Sequence, residues 1–380
     1  MRLLHLSDLH LGKHVCGFPM IEDQRAVLGQ VVDMIGSLRV DALLLAGDLY
    51  DKASPGVEAV SLLDWFLDAV SGTGAPIYAV AGNHDSPERV AYASSILARH
   101  GVYISPVYDG TVAHYSLADE HGDVTFWLVP FLKPATVRPF FPEAKIETYT
   151  DALGAVIGAC DIDGTTRNVA LSHQFVTSGG VGPERTESEL SLGGMDNVDA
   201  SVYDPFDYVA LGHVHRPQRV GREEVRYSGS PLKYSFSEVN DPKGATLVEL
   251  GAKGEVRVER APFAPLHDMR KVRGTVEALC DPEVLAAADP EDYLHVTLTD
   301  EEPGASALDR LRAHYPNVMQ VEYDNSRARA RGLGEEDAER RESLTPLELF
   351  EGFYEAQNGR PMNDAQRTMV LEELANAEAM

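Results

Sequence analysis

The sequence predicts an α/β protein with parallel strands covered by helices, followed by a smaller C-terminal part. Three observations support this class. Short apolar runs alternate with segments of helical periodicity, as in repeated strand and helix units. Several runs lack the alternation of a half-exposed strand, which indicates burial on both faces. Polar stretches with His, Asp or Asn follow these runs, at the strand ends where open α/β sheets carry their sites.

Composition excludes several classes of protein. The 380 residues suffice for two or three domains, and 44% hydrophobic residues with 32 Gly and 22 Pro exclude a disordered or fibrous chain. No apolar run has the length of a membrane span or the form of a signal peptide, so we predict a cytoplasmic protein without a membrane partner. Three isolated cysteines support neither a disulfide framework nor a thiolate zinc site: Cys16, Cys160 and Cys280.

The net charge of −27 argues against a protein that binds nucleic acid through its overall electrostatics, because phosphate binding requires Lys and Arg. Two routes to a nucleic-acid substrate stay open. Bound divalent cations would reverse the local field where carboxylates cluster. A basic partner would carry the main affinity.

The first strand–helix units each end in polar residues. Residues 2–6 read as a strand followed by Asp8 and His10, which lie on the same side of an extended segment and form a potential ligand pair. Residues 21–38 have helical spacing. A second apolar strand over 41–46 precedes Asp48 and Asp51.

The next unit repeats this order. Ser54 and Pro55 resemble an N-cap and first-turn proline for a helix to about residue 71. Residues 76–80 form the third strand, and Gly82 then permits a sharp turn that presents Asn83 and His84 at the strand end. A further helix is predicted from residue 86 to about residue 100.

The second half of the first domain is richer in strands. The runs at 102–107, 111–115 and 124–129 predict hairpins or a second sheet packed on the first. A strand over 167–171 precedes His173, and a strand over 206–211 precedes His213 and His215. Strands at 225–230 and within 244–259 complete the domain.

Composition changes near residues 262–265, where we predict a domain boundary. The following strands and helices form a small α+β module. The predicted domains are 1–264, a capping domain at 265–324, a linker at 325–343 and C-terminal helices at 344–380. Thr345 to Glu348 has the form of a capping box with a proline. Docking of these helices to a partner and packing on the chain's own body both remain open.

Five strand ends therefore carry a mixed set of carboxylate, imidazole and amide groups: Asp8, His10, Asp48, Asn83, His84, His173, His213 and His215. Such ligands suit Mn²⁺, Fe or Zn²⁺ better than Ca²⁺, and their number suffices for two ions sharing one carboxylate. Two adjacent ions clamp the oxygens of a phosphoryl centre and generate hydroxide at neutral pH. The predicted chemistry is phosphoester hydrolysis.

The order DxH, GDxxD, GNHD, a His after a strand and GHxH resembles the calcineurin-like metallophosphoesterase superfamily over roughly residues 1–260. The stretches 4–12, 188–194 and 227–231 resemble the bacterial SbcD nuclease family within it. The resemblance implies a two-sheet sandwich flanked by helices, a small capping domain and C-terminal helices that dock a partner.

The resemblance also implies residue roles. One ion would be held by Asp8, His10, Asp48 and His215, and the second by Asp48, Asn83, His173 and His213. His84 would support the leaving oxygen of the scissile phosphate, and Asp51 stands where many relatives keep an acid that orients this histidine. Tyr227 and Ser230 are candidate contacts to the DNA backbone, although a Gly-Ser-Pro turn is also ordinary loop chemistry.

The implied function is a two-metal DNA nuclease, both 3'-5' exonuclease and endonuclease, using Mn²⁺ with Mg²⁺ as the alternative. It would process DNA ends and hairpins in recombination, replication and repair, as a homodimer within a heterotetramer with an SbcC-type coiled-coil ATPase. The alternatives are a stand-alone metallophosphatase or cyclic-nucleotide phosphodiesterase, and a catalytically inactive scaffold. Lys52 stands where phosphoprotein phosphatases usually carry an Arg, and the full ligand set disfavours the scaffold.

Overall fold

The computed structural model describes residues 1–187, 196–302, 304 and 306–325, with scattered positions beyond them: 347, 350–351, 354, 361–363, 366–367 and 369–370. The loop 188–194 and most of the predicted linker and C-terminal helices lie outside these residues. Among the helices that are described, none has the length and apolar character needed to cross a membrane.

Strands dominate the described residues. In chain order they are Arg2–Leu6 (β1), His14–Val15 (β2), Phe18–Pro19 (β3), Ala42–Ala46 (β4), Ile77–Val80 (β5), Val102–Ile104 (β6), Ala113–Asp119 (β7), Gly122–Val129 (β8), Arg167–His173 (β9), Phe175–Thr177 (β10), Asn197–Asp199 (β11), Tyr208–Gly212 (β12), Gln218–Val220 (β13), Arg222–Tyr227 (β14), Gly244–Leu250 (β15), Val256–Pro262 (β16), Met269–Gly274 (β17), Tyr293–Leu298 (β18) and Val318–Tyr323 (β19).

Helices occur between many of these strands. They are Ile21–Ser37 (α1), Val57–Ser71 (α2), Pro87–Val90 (α3), Ser94–Leu97 (α4), Pro134–Val137 (α5), Tyr149–Gly158 (α6), Val276–Leu279 (α7), Pro282–Ala286 (α8) and Ala307–Arg312 (α9). The chain forms two compact units. The first comprises Met1–Lys271, Asp289–His295 and Asn317–Gln320, and the second comprises Val272–Ala288, Val296–Pro316 and Val321–Met380.

Two six-stranded sheets form the body of the first unit. One has the order β16-β15-β1-β4-β5-β6, in which β1, β4, β5 and β6 are parallel. The other has the order β13-β14-β12-β9-β8-β7, in which β14, β12, β9 and β8 are parallel. The carboxyl ends of parallel strands meet at one edge of a sheet. The loops that follow these strands therefore lie together at one edge of each sheet.

The sheets stack face to face, with helices on their outer faces. Along β4, Leu44 belongs to a cluster shared by the two sheets, whereas Leu43 and Leu45 belong to the cluster that packs against α1 and α2. Successive side chains of a strand point to opposite faces, so a strand covered on both sides must be apolar throughout. The second sheet packs its outer face against α5 and α6. The predicted two-sheet sandwich flanked by helices is confirmed.

The second unit is a small α+β structure in its described part, as predicted. It contains the short helices α7, α8 and α9 and the second halves of β17, β18 and β19, strands that form a three-stranded sheet in that order. The predicted domain limits at 264, 324 and 343 stay predictions.

Two helix predictions were wrong in detail. The N-cap of α2 is Gly56, so Ser54 and Pro55 precede the helix rather than begin it. The continuous helix expected from residue 86 to about residue 100 is split into α3 and α4, because Ala93 has a left-handed φ of 58° that interrupts the helix. Helix α6 was not predicted at all.

Candidate metal centre

Polar side chains follow strands of both sheets and converge at one place. β1, β4 and β5 supply residues from the first sheet, and β9 and β12 supply them from the second. Short contacts link all seven predicted ligands into one connected group: Asp8, His10, Asp48, Asn83, His173, His213 and His215. Since these residues come from five separate segments, the sandwich itself assembles the site.

One half of the site is formed by Asp8, His10 and His215. Their potential ligand atoms lie within 4.8 Å of one another, and all three residues are buried. The Nε2 atoms of His10 and His215 are 3.1 Å apart. A neutral imidazole has one bare nitrogen, and two facing bare nitrogens are natural ligands for one cation.

Asp48 lies between the two halves. Its Oδ2 atom is 3.6 Å from His10 Nε2 and 3.3 Å from His173 Nε2. Its Oδ1 atom accepts a 2.8 Å hydrogen bond from the backbone N–H of His84. One carboxylate oxygen therefore faces histidines on both sides, as a shared ligand requires.

The other half of the site centres on Asn83. Its Oδ1 atom lies 3.0 Å from His173 Nε2 and 2.8 Å from His213 Nδ1. His173 Nδ1 donates to the carbonyl oxygen of Ala46 at 2.8 Å, so Nε2 is the ring nitrogen that faces Asn83 and Asp48. The amide oxygen and the imidazole nitrogens thus point at a common position.

The backbone is strained at several of these positions. Asp8, His10, Asp48 and His213 have φ values of 55°, 44°, 50° and 105°, and they are among only seven such non-glycine residues in the described chain. A positive φ costs free energy in L-residues, and strain of this kind is concentrated at functional sites. Close packing around Asp48 adds a further constraint, because a Cβ atom at Gly82 would lie 2.2 Å from its Oδ1.

The charged groups of the site favour a bound cation. Burial raises the pKa of Asp8, and it lowers the pKa of His213 to about 3. Burial also lowers the pKa of His173, but the facing Asp48 carboxylate outweighs it and holds that pKa at about 9. The buried carboxylates therefore favour positive charge at this centre, which a divalent cation held by deprotonated ligands would supply.

The side chains of this centre fit a pair of divalent cations. Buried imidazole, carboxylate and amide groups whose potential ligand atoms face one another match the ligand chemistry of metals such as Mn²⁺, Fe²⁺ or Zn²⁺. Asp8, His10, Asp48 and His215 form one potential set, and Asp48, Asn83, His173 and His213 the other.

The contact between Asp51 and His84 differs from the one predicted. His84 Nδ1 lies 3.0 Å from the backbone carbonyl oxygen of Asp51, not from its carboxylate. The carboxylate instead accepts a 2.8 Å hydrogen bond from Lys13 and lies 3.6 Å from His10 Nδ1. The orienting role implied for the Asp51 carboxylate stays a prediction, and sequence alone does not show which way a side chain points.

Asp85 joins the loops that carry Asp48 and Asn83. Its carboxylate accepts backbone hydrogen bonds from Leu49, Tyr50 and Gly82 at 3.1, 2.9 and 2.9 Å. Burial, with a contribution from nearby Asp48, raises the pKa of this carboxyl to about 6. Asp85 therefore anchors the loops.

Tyr227 and Ser230 lie inside the protein. Both are 0% exposed. Tyr227 donates to the carbonyl oxygen of Gln174 and accepts from the backbone of Val176, and Ser230 donates to the carbonyl oxygen of Leu232. Their hydroxyls are engaged within the protein, and we do not carry the predicted DNA contact into the proposed function.

Sequence reasoning missed several residues that support the ligands. Gln24 donates to the carbonyl oxygen of His10 at 2.8 Å, and Tyr234 packs its ring 5.7 Å from the His10 ring. Glu238 and Lys243 lie behind His215. None of these residues belongs to a sequence motif that includes a ligand, so their contacts with the ligands are seen only in the folded chain.

The fold and the site together define a metallophosphoesterase. Residues 1–217 match the family described as calcineurin-like phosphoesterase. This match covers more than half of the chain, which therefore belongs to that family and is a phosphoester hydrolase that depends on divalent metals. Residues 265–358 match the SbcD C-terminal family, described as type 5 capsule protein repressor C-terminal domain.

Similarity to characterised proteins narrows the class to the SbcD branch. A protein of Staphylococcus epidermidis, named as the D subunit of the nuclease SbcCD, is 30% identical over 86% of this chain and 87% of its own length. A protein of the same name from Staphylococcus saprophyticus is 32% identical over 84% of each chain. Among solved structures, the protein TT1561 of Thermus thermophilus is 14% identical over 68% of this chain and 98% of its own, with a TM-score of 0.39, too low to support an argument.

Proposed function

We propose that this protein is a DNA nuclease that hydrolyses phosphodiester bonds with two divalent ions, as the nuclease subunit of an SbcCD-type complex. The observation that carries the proposal is the convergence of seven ligand-type side chains beside His84, in a chain that resembles proteins named as the D subunit of the nuclease SbcCD over most of its length. The 3'-5' exonuclease and endonuclease activities, and the roles in DNA recombination, replication and repair, belong to this proposal.

Asp8, His10, Asp48 and His215 would hold one ion, and Asp48, Asn83, His173 and His213 the other. When bound, such a pair supplies a hydroxide nucleophile at neutral pH and neutralises the charge of the phosphoryl group. Mn²⁺ is the proposed metal, with Mg²⁺ as the alternative. The imidazole-rich ligand set supports Mn²⁺, because Mg²⁺ prefers oxygen ligands and retains several waters.

His84 would act on the leaving group. Its ring lies 4.8 Å from the His10 ring at nearly a right angle, and its Nδ1 faces the Asp51 carbonyl oxygen at 3.0 Å. A carbonyl oxygen only accepts, so Nδ1 carries a proton and Nε2 is directed away from this contact. A second proton, on Nε2, would be the one that the ring donates to the leaving oxygen. The 2.8 Å bond from the His84 backbone to Asp48 ties this ring to the proposed bridging ligand.

The first test is cleavage of linear duplex DNA by the purified full-length chain with Mn²⁺. We expect cleavage without ATP, because ATP matters only through the partner. Parallel assays would use nucleotide monoesters and cyclic nucleotides. Hydrolysis of these small esters without any action on DNA would overturn the nuclease proposal in favour of a stand-alone phosphatase or phosphodiesterase.

A matched pair of variants separates binding from chemistry. His84→Ala is expected to abolish cleavage while two Mn²⁺ ions still bind, as measured by calorimetric titration. Asp48→Ala is expected to lose metal binding, because it removes the shared carboxylate. An empty site in the His84 variant would contradict this division of roles.

Partners form a second part of the proposal. Large apolar side chains are exposed on α2 and on the segment from α3 to α4: Val57 is 82% exposed, Tyr92 80% and Ile96 60%. Exposed apolar side chains of this size are consistent with a protein interface and support the proposed homodimer within a heterotetramer. An SbcC-type coiled-coil ATPase is the proposed second subunit, and a DNA substrate suits the predicted cytoplasmic location.

Docking of that ATPase is assigned to residues 344–380. Deleting them is expected to preserve metal-dependent cleavage and to abolish co-purification with the ATPase. A truncated chain that still co-purifies with it would refute the docking role and leave the nuclease proposal intact.

A further inference from the structure

Glu238 is a carboxylate buried behind the proposed metal centre. It lies in the stretch after β14, outside the ligand pattern, and it is 0% exposed. Its Oε2 atom is 2.6 Å from Nζ of Lys243, whose side chain is 7% exposed. Burial of an ion pair is costly in free energy, so a carboxylate in this position requires an explanation.

The other oxygen of Glu238 faces His215. Its Oε1 atom lies 3.9 Å from His215 Nδ1, while His215 Nε2 faces His10 at 3.1 Å on the opposite side of the ring. Lys243 also donates to the backbone carbonyl oxygen of His215 at 2.9 Å. The two residues therefore contact the histidine from its side chain and from its backbone.

This geometry selects one form of the imidazole. A histidine that binds a metal through Nε2 must carry its proton on Nδ1, and a carboxylate facing Nδ1 stabilises that tautomer. Lys243, with Nζ 2.6 Å from Oε2, offsets the charge of the Glu238 carboxylate.

The facing histidine has a similar arrangement. His10 Nδ1 lies 3.6 Å from Oδ1 of Asp51, and Lys13 donates to the same oxygen at 2.8 Å. Each of the two imidazoles whose Nε2 atoms meet is therefore backed by a carboxylate and a lysine. If the Glu238–Lys243 ion pair were unrelated to the metal centre, there would be no reason for a carboxylate and a lysine to lie behind both imidazoles.

We propose that Glu238, held by Lys243, is a positioning residue that fixes His215 in the Nδ1–H tautomer and aims Nε2 at the first metal ion. This inference rests on the proposed ligand role of His215. It adds to the centre two residues that do not themselves touch the ion.

The direct test uses the wild-type chain without metal. Selective ¹⁵N labelling of histidine, with long-range ¹H–¹⁵N correlation spectra, distinguishes protonated Nδ1 from protonated Nε2, and the signal missing from His215→Ala identifies the residue. We expect His215 to carry its proton on Nδ1. A proton on Nε2 in the folded wild-type chain would overturn the proposal without any variant of Glu238.

The second measurement is a Mn²⁺ titration of Glu238→Gln and Lys243→Met by calorimetry and electron paramagnetic resonance. We expect one of two ions to bind about 10- to 100-fold more weakly in Glu238→Gln, the effect known for carboxylates behind metal-bound histidines. Glu238→Asp should restore part of the affinity, because it keeps the charge. The matched control is Asp119→Asn, which alters another ion pair, with Arg167, and none of the proposed ligands.

The outcomes separate this inference from the proposed function. If the wild-type chain binds no pair of Mn²⁺ ions, the two-metal proposal fails first. If the wild type binds two ions, and folded Glu238→Gln binds both as tightly with the same His215 tautomer, only the positioning role is overturned. Equal weakening in Asp119→Asn would assign the effect to stability and also overturn it.

Discussion

Gly82 illustrates how tightly the residues of the metal centre are packed. The sequence suggested that this glycine serves a sharp turn, but its φ lies outside the left-handed region. The real constraint is a close approach, because an added Cβ would lie 2.2 Å from Asp48 Oδ1 and 2.3 Å from the Asp48 backbone nitrogen. Both atoms belong to the proposed bridging ligand and its main chain.

We therefore predict that Gly82→Ala weakens Mn²⁺ binding by about tenfold or more, since displaced supporting groups commonly cost 10- to 100-fold in metal affinity. The control is Gly29→Ala, a helix position with no heavy atom within 4 Å of the added Cβ. It should leave metal binding unchanged and stabilise the fold by about 0.5–1 kcal/mol. Titration by calorimetry checks both variants, and unchanged affinity in Gly82→Ala would refute the argument.

At the residue scale, the sequence predicted which side chains converge but not the atoms through which they act. Asp8, His10 and His173 were found because each follows an apolar strand, a pattern visible in one dimension. Asp51 supports His84 through its carbonyl oxygen, and Asp85 joins two loops through backbone N–H groups. Such contacts depend on chain directions that no residue spacing encodes.

Strands were predicted more accurately than helices. β1 begins and ends at the predicted residues 2 and 6, and the apolar runs of β4 and β5 are buried on both faces as expected. Continuous apolar runs of this kind have few alternatives to a central strand. The helix after Asp85 was predicted too long. The backbone at Ala93 is left-handed, and an alanine in the sequence does not indicate that conformation.

The sequence contains a capping box that marks the start of helix α6. Thr148 and Asp151 form a capping box, in which the Asp151 N–H donates to Thr148 Oγ1 at 3.1 Å and the Thr148 N–H donates to Asp151 Oδ2 at 2.8 Å. A threonine followed three residues later by an acidic residue, before an apolar stripe, is a recognisable helix start. The helix covers the outer face of the second sheet through buried residues such as Leu153 and Val156.

We predict that Thr148→Ala lowers the free energy of unfolding by about 1 kcal/mol, the usual cost of losing an N-cap side chain. Urea unfolding followed by circular dichroism measures the change. Thr148→Ser is the matched control, because a serine hydroxyl accepts the same bond. Equal losses in the two variants would assign the effect to the methyl group and contradict the capping argument.

At the scale of the whole molecule, charge limits how DNA is bound. The chain has a formal net charge of −27, so its overall electrostatic field does not attract a polyanion such as DNA. The proposed ions would supply local positive charge at the strand ends, beside the buried carboxylates of Asp8 and Asp48. Affinity for DNA would then depend on the metal centre and on the partner more than on the surface, which agrees with a protein that acts within a complex.

Arg167 forms an ion pair within the second sheet and a hydrogen bond that reaches the first. Arg167 at the start of β9 donates to Asp119 of β7 at 3.0 Å and to the carbonyl oxygen of Gly251, just after β15, at 2.9 Å. The Arg167 side chain is 3% exposed and that of Asp119 12%. The hydrogen bond from Arg167 lowers the pKa of Asp119 well below its usual range. The carboxylate is therefore more acidic in the folded than in the unfolded chain.

This shift predicts a pH-dependent contribution to stability. A carboxyl with a lowered folded pKa stabilises the fold above its unfolded pKa, near 3.9, and loses that contribution as the pH falls toward the folded value. Asp119→Asn should therefore lower the urea midpoint of the metal-free chain at about pH 7, and the difference from wild type should shrink by about pH 3. The control Asp64→Asn, at an exposed position of α2, should differ little from wild type at either pH. A difference that stays constant between the two pH values would show that the Asp119 charge does not stabilise the junction of the sheets.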